Sequence, residues 1–232
     1  MRRDGIEVAL AATVGAVIAL VIWGLMQRTS DPADNDASSP TTVAEASTGP
    51  TTQPLREQAD LDAFLDAFRA SRTGTYQVTG RVQIAQAGTD DTTQLIVSTV
   101  RRGSDVIEEA GTTLLVILDG QEQSCERIFG GDLTCGEVLV PSSADDDVAA
   151  IERLFTGADP DYLLYAEDDD CWQLVATANP APAQWGQSTT ICFDPETGAI
   201  ARQTTSSVQG TRTYVAETIS GEVTDEDLIP PS

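Results

Sequence analysis

Two residue types are missing outright: the 232-residue sequence contains no histidine and no lysine. The absence of His removes Ser-His-Asp and Cys-His catalysis, imidazole metal ligands and the ordinary titration switch near neutrality. The absence of Lys removes Schiff-base chemistry and the phosphate-cradling lysine of a P-loop. The sequence also lacks a dinucleotide fingerprint, a nucleophile elbow, an EF-hand loop and a glycosylation sequon. Paired carboxylates, as in glycoside hydrolysis, remain as a catalytic option. With 37 Asp and Glu residues, any given pair is uninformative. The chemistry therefore points to a non-enzymatic protein with no cofactor.

Positive charge is scarce. Thirteen Arg face those 37 acids, for a net charge of −24. Such a surface repels nucleic acid, so no nucleic-acid partner is expected. The acidic runs 145–147 and 167–170 lack the spacing of a calcium loop and read as solvated surface. The four cysteines, Cys125, Cys135, Cys171 and Cys192, show none of the C-x₂₋₄-C gaps of a zinc site, so no metal centre is expected.

What is present begins with one long apolar run, residues 6–26, holding only Glu7 as a charge. As a helix its 21 residues rise about 31 Å, the thickness of a bilayer's hydrocarbon core. Arg2 and Arg3 precede it, which places the N-terminus in the cytoplasm and the rest of the chain on the extracytoplasmic side of the plasma membrane, as a single-pass protein. The rival is a cleaved signal peptide, but the run is long for one and no A-x-A site follows it. Residues 1–28 carry Arg2, Arg3 and Arg28 against Asp4 and Glu7, so the exported part holds −25. Residues 29–54 are rich in Thr, Ser, Pro and Asp with Val43 as their only sizeable apolar side chain, the composition of a disordered tether. This gives three parts: a cytoplasmic stub and transmembrane anchor at 1–28, a tether at 29–54, and a folded domain at 55–232.

Within the domain the hydrophobic period shifts. Leu61, Phe64, Leu65 and Phe68 fall at i, i+3, i+4 and i+7, an amphipathic helix with Asp60 as its N-cap and Gly74 past its end. Residues 76–84 then alternate apolar and polar, a strand with one wet face. Further strands are expected over 93–101, 108–119, both arms of 123–139, 171–177, 188–193, 199–208 and 211–219. A second short helix, 144–155, is capped by Ser143 and led by Asp145, Asp146 and Asp147. Asp119-Gly120 is a hairpin turn signal. Residues 223–232 read as a tail.

An even cysteine count in an exported chain reads as disulfides. Chain reversal near residues 129–132 sets Cys125 opposite Cys135, and reversal through 180–183 sets Cys171 opposite Cys192. The second register also pairs Trp172 with Ile191 and Leu174 with Thr189 on the face away from the cysteines. Trp172 and Trp185 either line a cavity or fill a core.

The order of elements resembles the bacterial lipoprotein-carrier-like (LolA/LppX-like) superfamily. The residues that carry the resemblance are Leu61, Phe64, Leu65 and Phe68, then Gly74-Thr75-Tyr76, then the stretch 192–198 through Asp194-Pro195-Glu196-Thr197-Gly198. The resemblance implies an α+β domain: a strongly curved antiparallel sheet, an unclosed β-barrel, with two or more helices over its concave face and an apolar cavity between them. The apolar residues offered for such a cavity are Phe64, Phe68, Tyr76, Val78, Val82, Ile84, Leu114, Val116, Leu118, Trp172, Leu174, Ile191 and Phe193. The sequence lacks a lipobox cysteine, and its anchor favours a stationary lipid binder over a shuttle. The alternative is a cell-envelope sensor or assembly protein that binds another protein through its sheet edge or helix face.

Overall fold

The computed structural model describes residues 59–127, 131–167, 170–177 and 185–231. The anchor and tether, the 180–183 turn and the acidic pair at 168–169 lie outside the described residues. Among the described residues no helix is long and apolar enough to cross a membrane.

Helix α1, Leu61–Thr73, forms where its apolar stripe predicts it. Asp60 Oδ1 accepts the backbone N–H groups of Asp62 and Ala63, and Gly74 closes the helix in an extended conformation, its N–H donating to Ala70 O. Phe64, Leu65 and Phe68 are buried on one face. Six strands follow: β1 Thr75–Gln86, β2 Thr92–Arg102, β3 Asp105–Ala110, β4 Thr113–Leu118, β5 Gln121–Arg127 and β6 Leu133–Cys135. Helix α2, Ala144–Glu152, comes next, and then β7 Tyr162–Glu167, β8 Cys171–Ala176, β9 Ser188–Phe193, β10 Ile200–Ser207 and β11 Gly210–Ser220. A 3₁₀ turn at Glu226–Leu228 is the last element.

The strands form one antiparallel sheet of 11 in the order β6-β5-β4-β3-β2-β1-β11-β10-β9-β8-β7. Two meanders, β1 to β6 and β7 to β11, meet where β1 pairs with β11. The sheet is open, and its two edges, β6 and β7, are consecutive strands joined through α2. Bulges at Thr79/Gly80 and Ile200/Arg202 interrupt the ladders, a device that bends strands and raises their twist. The fold is thus α+β, with an open antiparallel sheet and two helices.

Both disulfides have the expected connectivity, Cys125–Cys135 and Cys171–Cys192. Each bridges directly opposed residues, and Trp172 faces Ile191 and Leu174 faces Thr189 as expected. Gly136 N donates to Ser124 O and Phe193 N to Asp170 O, so both bridges span non-hydrogen-bonded pairs, where side chains approach most closely. Asp119 and Gly120 both take positive φ, 52° and 71°, in the turn joining β4 to β5.

Three expectations change. The strand expected over 108–119 is two, broken by a turn at Gly111 with φ 62°. Strand β7 has no counterpart in the sequence reading. Helix α2 stops at Glu152, three residues early, although Leu154 and Phe155 still pack against the core.

Candidate functional site

Cross-strand partners share a face, so the register sorts the sheet into two surfaces. The inner face is the one α1 covers: Tyr76 Oη donates to Ser71 O at 2.8 Å, and Arg101 Nη1 to Arg72 O at 2.6 Å. Its residues run in rungs. One reads Tyr76, Arg101, Val106, Ile117, Glu122, and the next holds Val78, Thr99, Glu108 and Leu115. Toward the far meander come Val82, Tyr214, Gln203, Ile191 and Trp172, then Ile84, Arg212, Thr205, Thr189 and Leu174.

The inner face has an aromatic end and a polar centre. At the end, over β7 to β9, Phe64 is fully buried with the rings of Phe155, Trp172, Phe68 and Phe193 at 5.7, 5.8, 6.3 and 6.3 Å. Leu164, Leu174, Ile191 and Trp185 complete this cluster. Six of the residues offered for an apolar cavity, Phe64, Phe68, Trp172, Leu174, Ile191 and Phe193, therefore meet in one packed core. Both domain tryptophans take the core role. Tyr162 Oη donates to Gly186 O and Thr189 Oγ1 to Trp185 O, which ties the 185–187 segment down beside it.

Tyr76 and Val78 pack with Ala199, Ala216 and Ile219, while Val82 is buried and Ile84 half-buried further along the same face. Leu114, Val116 and Leu118 are corrected: they point to the outer face, where they cluster with Ile107, Cys125, Leu133, Val223 and Leu228. Their neighbours Leu115 and Ile117 face inward with Val106. The tail thus seals part of the outer face, helped by Arg102 Nη1 on Asp225 Oδ1 at 2.6 Å. A cleft of about 150 Å³ lies there between Thr113, Leu114, Leu133 and Pro231, below the roughly 300–1,000 Å³ usual for ligand pockets.

The polar centre was not legible as a site. Glu108 is 3% exposed and faces Thr99, whose hydroxyl lies 3.4 Å from Oε2. Burial pushes the Glu108 carboxyl up to about 7, against the opposing pull of Arg101, Thr99, Arg72 and Arg212. Arg101, also 3% exposed, donates through Nη1 to Arg72 O and Gly103 O, while its Nε is buried with no hydrogen-bond partner among the described residues. Burial holds Arg101 and Arg212 below the usual guanidinium range, and the Glu108 charge partly restores both. Burial raises the phenols of Tyr76 and Tyr214.

Gly80 makes room for this arrangement. A Cβ there would stand 2.5 Å from the Tyr214 ring and 2.7 Å from Val215 O, so the ring lies over the bare glycine. Beside the cluster, Arg72 Nε donates to Asp147 Oδ2 at 2.7 Å, and Ser142 Oγ to Oδ1 at 2.7 Å. Asp147 is 1% exposed, so the acidic run at the start of α2 is not wholly solvated: its third member closes a buried ion pair with α1. Asp146 instead completes the cap with Ser143.

Three guanidinium groups, two carboxylates and two phenols thus gather on one face of a sheet, largely out of water. Desolvating such groups costs several kcal/mol each, and apolar replacements of similar size are often neutral or stabilising. Buried, incompletely paired charge beside apolar wall residues makes this the candidate site of the described residues.

The structure is thus an open antiparallel sheet with its helices on one side and polar groups retained at the centre of that side. No protein-family model matches the sequence, and no curated protein is similar to it. Solved structures similar to the chain do include members of the superfamily its sequence resembles. One is a LolA superfamily protein from Nitrosomonas europaea, 9% identical over 75% of this chain and 98% of that one, with a TM-score of 0.26. Another is a putative outer membrane lipoprotein-sorting protein domain from Vibrio parahaemolyticus, 9% identical over 73% and 97%, TM-score 0.25. The Pseudomonas aeruginosa MucA/MucB complex is similar at 16% identity over 74% of this chain and 60% of that one, TM-score 0.40.

Proposed function

We propose that the chain is a membrane-tethered, non-enzymatic module of the extracytoplasmic side that binds a lipid between its helices and the inner face of its curved sheet. The carrying observation is the cluster of buried Glu108 and Arg101 with half-buried Arg212, set beside Val82, Val97 and Leu115, an apolar wall with a polar end. That pairing suits an amphiphile, with acyl carbons along the aliphatic rungs and the head group near the guanidinium groups. The aromatic end is packed, so the ligand region shifts from the α1 core to the centre of the face. The groups acting most strongly on Glu108 are cations and hydroxyls, with no second carboxylate among them, which favours recognition over paired-carboxylate hydrolysis.

Native mass spectrometry of the full chain, extracted in mild detergent, tests this. A stoichiometric lipid adduct is expected on the wild type and lost in Val97→Trp, which fills the inner face. No adduct, or one indifferent to V97W, contradicts the reading.

A second reading, a module that binds another envelope protein through its sheet edge, is favoured by a separate observation: Val138, Leu139 and Val140 are 48, 55 and 89% exposed along one edge.

A further inference from the structure

Residues 133–140 form the outermost strip of the sheet on the β6 side. Leu133, Thr134 and Cys135 pair with Arg127, Glu126 and Cys125. Further on, Leu139 and Glu122 exchange two backbone hydrogen bonds of 2.8 Å each. Four steps from 135 to 139 run against three from 125 to 122, so the strip holds a one-residue bulge. Gln123 Nε2 donates to Gly136 O at 3.1 Å and steadies it. The Cys125–Cys135 bridge fixes the start of the strip to β5.

Proteins usually blunt such an edge with Lys, Pro or cover, because unpaired backbone next to apolar side chains invites another strand. Here three consecutive aliphatic residues stand exposed, and the first proline, Pro141, comes only after them. An exposed apolar strip that continues a sheet edge past β6, held by the Leu139–Glu122 bridge, is a recognition feature of the strand-addition kind.

Charge selects the occupant. Glu126, Asp132 and Glu137 are exposed along the strip, and Arg127 is the one base among its described residues and β5. A second copy of this chain would bring the same acidic strip and its own net −24 against it. The chain's own residues 29–54 offer only Val43 as a sizeable apolar side chain and are themselves acidic. We infer that the 133–140 edge docks an extended segment of a partner protein in which apolar and basic side chains alternate, adding a twelfth strand beyond β6. This rests on the second, protein-binding reading and is independent of the lipid reading.

The test uses the full chain in zwitterionic nanodiscs and a labelled ten-residue peptide of alternating valine and lysine, followed by fluorescence anisotropy. Saturable binding is expected, with an alternating valine and glutamate peptide at least tenfold weaker. The double variant V138K/V140K, at exposed positions, is expected to keep its circular dichroism and to bind the valine–lysine peptide at least tenfold more weakly. Glu126→Gln with Glu137→Gln is expected to weaken binding about threefold and flatten its salt dependence. Equal binding of the two peptides, no saturable binding, or an unaffected V138K/V140K overturns the inference. Concentration-dependent dimerisation abolished by V138K/V140K overturns it in favour of a second copy. Crosslinking in native membranes separates the two levels. A stoichiometric partner whose yield V138K/V140K leaves unchanged overturns the edge alone, whereas no stoichiometric partner overturns the protein-binding reading with it.

Discussion

Glu108 decides how the inner face responds to pH. Its folded pKa of about 7 stands above the ordinary 4.5, because burial favours the neutral acid. The stability this contributes is full below about pH 4.5 and is lost as pH rises through about 7. Across that interval the change is about 3 kcal/mol. Gln copies the neutral acid and does not titrate. The unfolding free energy of the wild type, from urea denaturation, is therefore expected to fall by about 2–3 kcal/mol relative to Glu108→Gln between pH 4.5 and 8; parallel pH profiles would contradict the burial of this carboxyl. Asp147 sets a second test. Removing its charge in Asp147→Asn strands Arg72, whose side chain is only 10% exposed. A loss of about 3–5 kcal/mol is expected in the same assay, and a change under 1 kcal/mol would show that Arg72 finds water instead.

At the scale of elements, the sheet is held in shape by close approaches that only glycine allows. Gly198, with φ 75°, lies in the 194–198 turn, and a Cβ on it would stand 3.0 Å from Ala70 of α1. Asp194 Oδ1 ties this turn by accepting from Thr197 N and Oγ1. Gly80 is the counterpart at the polar centre. Gly80→Ala drives a methyl into the Tyr214 ring and the β11 backbone, with an expected cost of about 1–3 kcal/mol. Thermal melts of G80A check it, and an unchanged Tm would mean that Tyr214 is free to leave.

Much of the element order is legible in the sequence, and the gaps have physical causes. Alternation in 76–84 and the i, i+3, i+4 stripe of α1 each bury one face, so each leaves a period. The paired cysteines fix two registers at once, because directly opposed residues are the ones a bridge can join. The run 114–118 leaves no period, since Leu114 packs outward and Leu115 and Ile117 inward, both faces being buried. The cavity assignment for Leu114, Val116 and Leu118 fails for that reason. Glu108 and Glu109 are chemically alike and differ only in which face the strand turns them to. Asp147 sits in an acidic triplet that helix-dipole chemistry alone explains, and only its partner Arg72, 75 residues away, reveals its burial. The tail similarly shows its anchors, Val223 and Leu228, only against the outer-face cluster.

Taken whole, the chain joins an apolar segment long enough to span a bilayer, an acidic stretch rich in Thr, Ser and Pro, and a domain whose helix-covered face mixes aliphatic and charged side chains. The proposed placement holds the domain within reach of its own membrane, where a ligand with an acyl chain is at hand. The net charge of −24 keeps anionic surfaces away, so the proposed lipid binding draws on the inner face rather than on surface charge. The most direct measurement is photo-crosslinking of the full chain in membranes with a diazirine-bearing palmitate, followed by peptide mapping. Adducts are expected on the inner-face strands, within residues 76–110 and 203–219, and are expected to be lost in Val97→Trp. Adducts confined to residues 6–26, or inner-face adducts that V97W leaves unchanged, would contradict lipid binding at the centre of the sheet.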